Sequence, residues 1–185
     1  MPSHRFKVAV AVMSLLTVAT YVAEPYVGAG TANFEKPASD FSLTTVDGSV
    51  FSLAQQGTAT PVILDFMATW CIPCRQQLVE LKALRAEYGP AEVVMISVDE
   101  EYGADPAAVR AFRLTYANIS GSIESEGWYF ALDTVEEHVG LAYGATALPT
   151  LVLIDRSGNI AKTWFGAVSA PVLRGAIEGL LAAPT

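Results

Sequence analysis

The only two cysteines of the chain stand in Trp70-Cys71-Ile72-Pro73-Cys74, directly after the apolar run Val62-Ile63-Leu64-Asp65-Phe66-Met67-Ala68. A Cys-x-x-Cys just past a buried strand opens the following helix. There the first sulfur meets unpaired N–H groups and the positive end of the helix dipole. Such a thiol ionises more readily, and the thiolate is the form that attacks disulfides. Half a zinc site and a pair of buried structural thiols are the other uses of the pattern. Zinc takes about four ligands, and beyond this pair the chain offers only His4 and His138, the first of them in the N-terminal tail. No metal is therefore expected, and the pair reads as a redox dithiol needing no separate cofactor.

A chain of 185 residues, 52% of them hydrophobic, can bury one substantial core and is expected to build one domain. Its formal charge of −8 argues against nucleic acid, whose phosphates call for a basic face. Asp99-Glu100-Glu101 and Glu136-Glu137 are the acidic clusters, and both read as solvated surface. At the N-terminus Arg5 and Lys7 precede residues 8–23, which carry no charge, and Glu24-Pro25 closes the run. As a helix that run would measure about 24 Å against a hydrocarbon core of roughly 30 Å, which suits a signal-peptide core. Val27-Gly28-Ala29 and Gly30-Thr31-Ala32 offer small residues for cleavage. Phe6 with snorkelling Arg5 and Lys7 would instead lengthen an uncleaved membrane anchor. In either case the positive flank stays inside and the remainder faces outward. Residues 1–33 are expected to be signal peptide or anchor plus linker. Residues 34–185 are expected to form the working domain, in the periplasm or on the outer face of the cell membrane.

Residues 24–37 read as linker, broken by Pro25, Gly28, Gly30, Asn33 and Pro37. Residues 41–44 and 49–52 flank Asp47-Gly48, a hairpin signal. Residues 62–66 are nearly all apolar, as in a strand buried on both faces. From residue 71, Leu78, Leu81, Leu84 and Tyr88 recur at helical steps until Gly89-Pro90 stops them. Residues 93–98 form the next buried strand, and Asp105-Pro106 opens a helix towards Tyr116. Residues 118–127 are polar and aperiodic. The sequon Asn118-Ile119-Ser120 within them is too short a pattern to carry weight. A strand over 129–132, a helix over 135–143 and a strand over 150–154 follow. Asp155-Arg156-Ser157-Gly158 then turns the chain into 159–165, and Ser169 caps a last helix ending near Leu181. Strands alternating with helices imply an α/β domain with parallel pairs at its centre.

A strand holding Asp65-Phe66, then Ala68-Thr69-Trp70-Cys71-Ile72-Pro73-Cys74-Arg75 and a long helix, resembles the thioredoxin superfamily. Within it the chain is similar to the exported, often membrane-tethered thiol–disulfide oxidoreductases of the TlpA/ResA type. The likeness runs from about residue 38 to residue 181. It implies a thioredoxin fold with an N-terminal β-hairpin extension and a central insertion over roughly residues 118–143. Leu148-Pro149-Thr150 then leads into the family's final hairpin.

Cys71, at the helix entrance, is the more accessible thiol and the expected nucleophile, forming a mixed disulfide with substrate. Cys74, three residues on and on the same helical face, attacks Cys71 and frees the reduced substrate. Pro73 falls in the first turn, where its missing N–H costs nothing, and together with Ile72 it spaces the sulfurs. Trp70 is expected as a partly exposed ring beside the disulfide. An acid inside an apolar strand is costly to bury. By resemblance Asp65 is thioredoxin's buried acid, exchanging a proton with Cys74 and carrying a pKa raised towards neutrality. The resemblance also makes Pro149 a cis-proline facing the disulfide and lets the backbone of Leu148 pair with an extended substrate segment. Many TlpA/ResA-type proteins carry a glutamate three residues past the second cysteine. Here that position is Gln77, which cannot titrate and leaves the acid–base role to Asp65 alone.

What the resemblance implies is an extracytoplasmic protein-disulfide reductase. Its substrates would be apocytochrome c, copper-site cysteines or other envelope proteins, and its electrons would come from a membrane dithiol donor. A disulfide-forming oxidant or isomerase uses the same residues in the opposite direction, and the uncharged Ile72-Pro73 mildly favours the reductant. A peroxiredoxin-like peroxidase keeps a threonine or serine three residues before its reactive cysteine, where this chain has Ala68. A copper-binding module on the same scaffold would need a distal histidine. His138, the one candidate, sits in a Glu136-Glu137-His138 stretch that reads as a solvent-facing helix.

Overall fold

Lys36–Pro37 (β1) pairs antiparallel with the last strand of the chain, at one edge of a sheet that has six strands among the described residues. The segment read as linker thus ends in a strand, and an edge is where a proline's missing N–H is tolerated. The computed structural model describes residues 36–56, 60–118 and 126–182, which lie in one compact unit. The N-terminal apolar run, Ile119 and Ser120 of the sequon and most of the polar stretch after Asn118 lie outside the described residues. Among the described residues no helix is long and apolar enough to cross a membrane.

Ser42–Thr44 (β2) and Val50–Ser52 (β3) form the expected hairpin around Asp47-Gly48. Gly48 takes a φ of 87°, a conformation that favours glycine. A short 3-10 turn, Ala54–Gln56, follows. Val62–Met67 (β4) is buried at every position and lies inside the sheet. Ile72–Glu87 (α1) buries Cys74, Gln77, Leu78, Leu81 and Leu84 along one face. Val94–Asp99 (β5) pairs parallel with β4. Pro106–Tyr116 (α2) starts at Asp105, whose carboxylate accepts the Ala107 N–H at 2.8 Å. Trp128–Leu132 (β6) adds a parallel strand beside β5.

The next helix is shorter than its apolar pattern suggests. Val139–Tyr143 (α3) begins four residues after the expected start. The Asp133 carboxylate accepts the N–H groups of Val139 and Gly140, both at 3.0 Å, and so sets the first turn there. Residues 134–138 close a separate turn, with the His138 N–H donating to the Thr134 carbonyl. Thr150–Ile154 (β7) and Asn159–Phe165 (β8) make the final antiparallel hairpin, and Ala170–Ala182 (α4) closes the chain. The strand order is β1-β8-β7-β4-β5-β6.

Alternation along β4 splits the core into two layers. Ile63 and Met67 face α1, α2 and α4, joining Cys74, Leu78, Leu81, Val109, Phe112, Leu173 and Ile177. Val62, Leu64 and Phe66 face the hairpin and α3, joining Phe41, Leu43, Phe51, Val139 and Tyr143. The hairpin also guards the β6 edge, because Thr45 bridges Ala131 and the Val46 N–H donates to the Phe130 carbonyl at 2.8 Å. Arg113 of α2 holds Asp47 at the hairpin tip in an ion pair of 2.5 Å.

Candidate active site

Strand β4 ends at Met67 and α1 begins at Ile72, so the short link between them carries Cys71 to the C-terminal edge of the parallel strands. Crevices at that edge are where open α/β sheets bind ligands. Cys71 is the N-cap of α1, and its Sγ accepts the Cys74 N–H at 3.2 Å. Pro73 sits in the first turn of α1 and leaves no helical hydrogen bond unmade. Cys71 and Cys74 are joined, with an S–S distance of 2.08 Å.

The two sulfurs differ in access. Cys74 is fully buried, whereas Cys71 keeps 4% of its surface and lines an open groove of about 550 Å³. Trp70, Ile72, Pro73, Glu100, Leu148 and residues 145–147 form the rest of its wall, which is mainly apolar. Trp70 and Ile72 are exposed at 63% and 67%, large apolar side chains left uncovered on either side of Cys71. Across the groove Leu148-Pro149 is a cis peptide, as the resemblance implies. Its loop is held by the Thr150 hydroxyl, which donates to the Ala147 carbonyl at 2.6 Å, and by the Gly166 N–H, which donates to the Pro149 carbonyl at 2.8 Å.

Asp65 lies on the α1 side of β4, between Ile63 and Met67, in the layer that contains Cys74. It is 1% exposed. Parallel register sets it opposite Ser97 of β5, whose hydroxyl donates to Asp65 Oδ2 at 2.7 Å. The Trp128 indole N–H of β6 donates in turn to the Ser97 oxygen at 3.1 Å. Asp65 Oδ1 is buried without a partner. Burial raises the carboxyl to a pKa of about 7, against a smaller lowering by the Ser97 hydrogen bond.

Gln77 does not line the groove. Its amide clamps the loop between β8 and α4, with Oε1 accepting the Val168 N–H at 2.6 Å and Nε2 donating to the Val168 carbonyl at 3.2 Å. His138 is exposed, its Nδ1 lies 3.1 Å from the Tyr102 hydroxyl, and it does not line the groove either. Glu136 and Glu137 are solvent-facing as expected, on a turn rather than a helix.

The other acidic cluster is not solvated surface. Asp99 is fully buried, and Glu100 is half-buried in the groove wall. Burial, with the nearby charges of Asp133 and Asp99, raises Glu100 to a pKa of about 8. The site therefore holds a titratable carboxyl besides Asp65, where the sequence reading allowed only one. Glu100 directly follows a buried strand that runs parallel to the one before Cys71, and that placement is the signal that could have found it.

Fold and site together define a thioredoxin-like thiol–disulfide oxidoreductase. The chain belongs to the AhpC/TSA family, whose model matches residues 34–163. It is 30% identical to the thioredoxin-like protein YneN of Bacillus subtilis (strain 168), over 71% of each chain. The thiol-disulfide oxidoreductase ResA of Bacillus anthracis is 27% identical, over 77% of this chain and 76% of its own. A Chlorobium tepidum crystal structure, described as a thiol:disulfide interchange protein DsbE, superposes with a TM-score of 0.65 at 27% identity. That match covers 80% of this chain and 97% of the other.

Proposed function

We propose that the protein is an extracytoplasmic reductant of protein disulfides, with Cys71 as nucleophile and Cys74 as resolving thiol. The observation that supports this reading most is the unequal access of the two sulfurs, one lining an apolar groove and the other sealed behind it. In the reduced protein the Cys71 thiolate attacks a substrate disulfide, forming a mixed disulfide and expelling one substrate thiolate. Asp65 takes the proton of Cys74, whose sulfur then attacks Cys71 Sγ and expels the second substrate sulfur. Two electrons pass from the protein dithiol to the substrate disulfide, and a membrane dithiol donor restores them. The uncharged Ile72-Pro73 between the cysteines favours this direction, since nothing there strongly stabilises a thiolate. Apocytochrome c and copper-site cysteines are the substrates the TlpA/ResA resemblance suggests, and the apolar run of residues 8–23 supports export. Peroxide reduction is disfavoured by Ala68, which leaves no hydroxyl three residues before Cys71.

Trapping tests the assignment. Cys71→Ser should abolish disulfide reduction, and Cys74→Ser should accumulate mixed disulfides through Cys71, visible as thiol-sensitive adducts by mass spectrometry. Adducts that form through Cys74 in a Cys71→Ser variant, and not the reverse, would refute the order of attack.

A further inference from the structure

We propose that Glu100 is a second proton-transfer residue of this site, giving its proton to the substrate sulfur that departs from Cys71. The inference rests on the reductant reading above and extends it to a residue outside the Cys-x-x-Cys segment.

Glu100 is the residue after β5, and its N–H donates to the Met67 carbonyl at 2.9 Å, where β4 turns towards Cys71. Its side chain shares the groove wall with Cys71, Pro73 and Leu148. One carboxyl oxygen, Oε1, is buried with no hydrogen-bond partner. The carboxyl packs against α3 so closely that a Cβ on Gly140 would lie 1.7 Å from Oε2. A glycine in the first turn of α3 is thus what lets the acid fit. A half-buried carboxyl with an unpaired oxygen costs desolvation that no hydrogen bond to that oxygen offsets. Its place in the groove is where such an acid serves chemistry.

The groups around it keep it protonated. Asp99 at the end of β5 and Asp133 after β6 are the charges it feels, and both disfavour its ionisation. Glu101 follows it directly, and Tyr102, whose hydroxyl pairs with His138 Nδ1, lies in the field of both Glu100 and Asp133. With burial added, the carboxyl keeps its proton up to about pH 8. Asp65 cannot do the same work, because it is enclosed in the layer behind the disulfide.

Cys74, having given its proton to Asp65, forms the S–S bond to Cys71 while the bond from Cys71 to the substrate sulfur breaks. The substrate sulfur leaves with the electron pair and takes the Glu100 proton, becoming a neutral thiol. Glu100 is left as a carboxylate, to be reprotonated from solvent through the open groove. The oxidant is the substrate disulfide and the reductant is the protein dithiol.

Two substrates separate this role from a structural one. Insulin releases alkyl thiols, which are protonated at neutral pH, whereas 5,5′-dithiobis(2-nitrobenzoate) releases an aromatic thiolate that needs no proton. In single turnovers of prereduced protein at pH 7, Glu100→Gln should slow insulin reduction by about 10²-fold and leave the aromatic disulfide unaffected. The wild-type insulin rate should lose a limb near pH 8 that the variant lacks. Equal slowing with both substrates, or no slowing with insulin, overturns the proposal. If the wild type reduces neither substrate, the reductant reading itself falls.

Discussion

Cys71 and Cys74 are chemically identical until the fold separates them. The N-cap position gives Cys71 a donor from the Cys74 N–H and an opening to the groove, while Cys74 is packed among Met67 and Leu78. Asp65, the acid–base partner of the proposed mechanism, lies in that inner layer, and its ionisation has a thermodynamic signature. In the folded protein its pKa is about 7, above the unfolded value of 3.8. Between about pH 4 and 7 the folded state holds a proton that the unfolded chain has released, so stability falls as pH rises through that window. The loss is on the order of 4 kcal/mol at 1.36 kcal/mol per unit. Denaturant titrations of the oxidised protein at pH 5 and pH 8 should show the part lost above pH 5, roughly 2.7 kcal/mol over two pH units, and Asp65→Asn should remove that part of the fall. Glu100, with a folded pKa of about 8, adds a loss of the same sign that persists in the variant. The Asp65→Asn variant should also resolve mixed disulfides roughly 10²-fold more slowly. An unchanged pH profile of stability would mean that Asp65 is not the buried acid described.

Elements were legible where a local period announces them. The apolar run of β4, the three- and four-residue steps of α1 and the Asp47-Gly48 turn each carry their own signal, and each formed close to its expected bounds. Cys71, Cys74 and Asp65 were legible for the same reason, lying within ten residues on one strand–turn–helix unit. The partners of Asp65 were not. Ser97 and Trp128 reach it only through the register of β4 on β5 and β5 on β6, which no local pattern encodes. Glu100 was hidden likewise, because Asp99-Glu100-Glu101 looks like surface until β5 is seen to end beside Met67. The late start of α3 has a similar cause, since the carboxylate that accepts its first N–H groups is that of Asp133, six residues before Val139. The hairpin depends on a comparable long-range tie. Arg113 is 6% exposed and pairs with Asp47 across 66 residues of chain. Arg113→Ala should cost about 1.5–3 kcal/mol in chemical denaturation, the range for a hydrogen bond to a charged group. Because this tie lies away from the groove, disulfide exchange by the folded fraction should keep its rate. A stability change within about 0.5 kcal/mol, the usual range for surface substitutions, would show that the pair does not anchor the hairpin.

For the molecule as a whole, the sheet brings the C-terminal edge of its parallel strands, the cis peptide at Pro149 and the entrance of α1 to one groove with exposed Trp70 and Ile72 on its rim. Under the proposed function, that apolar rim is where an extended segment of a protein substrate would lie beside Cys71. Direction of electron flow is a property of the whole dithiol, set by the stability of its reduced form against its disulfide. With Cys71 and Cys74 the only cysteines, equilibration in graded dithiol buffers followed by thiol alkylation reads that property without ambiguity. A reduction potential near or below about −250 mV, close to thioredoxin, is the result expected of a reductant. A potential above about −150 mV, towards the strong periplasmic oxidant, would make the protein a disulfide donor and contradict the account.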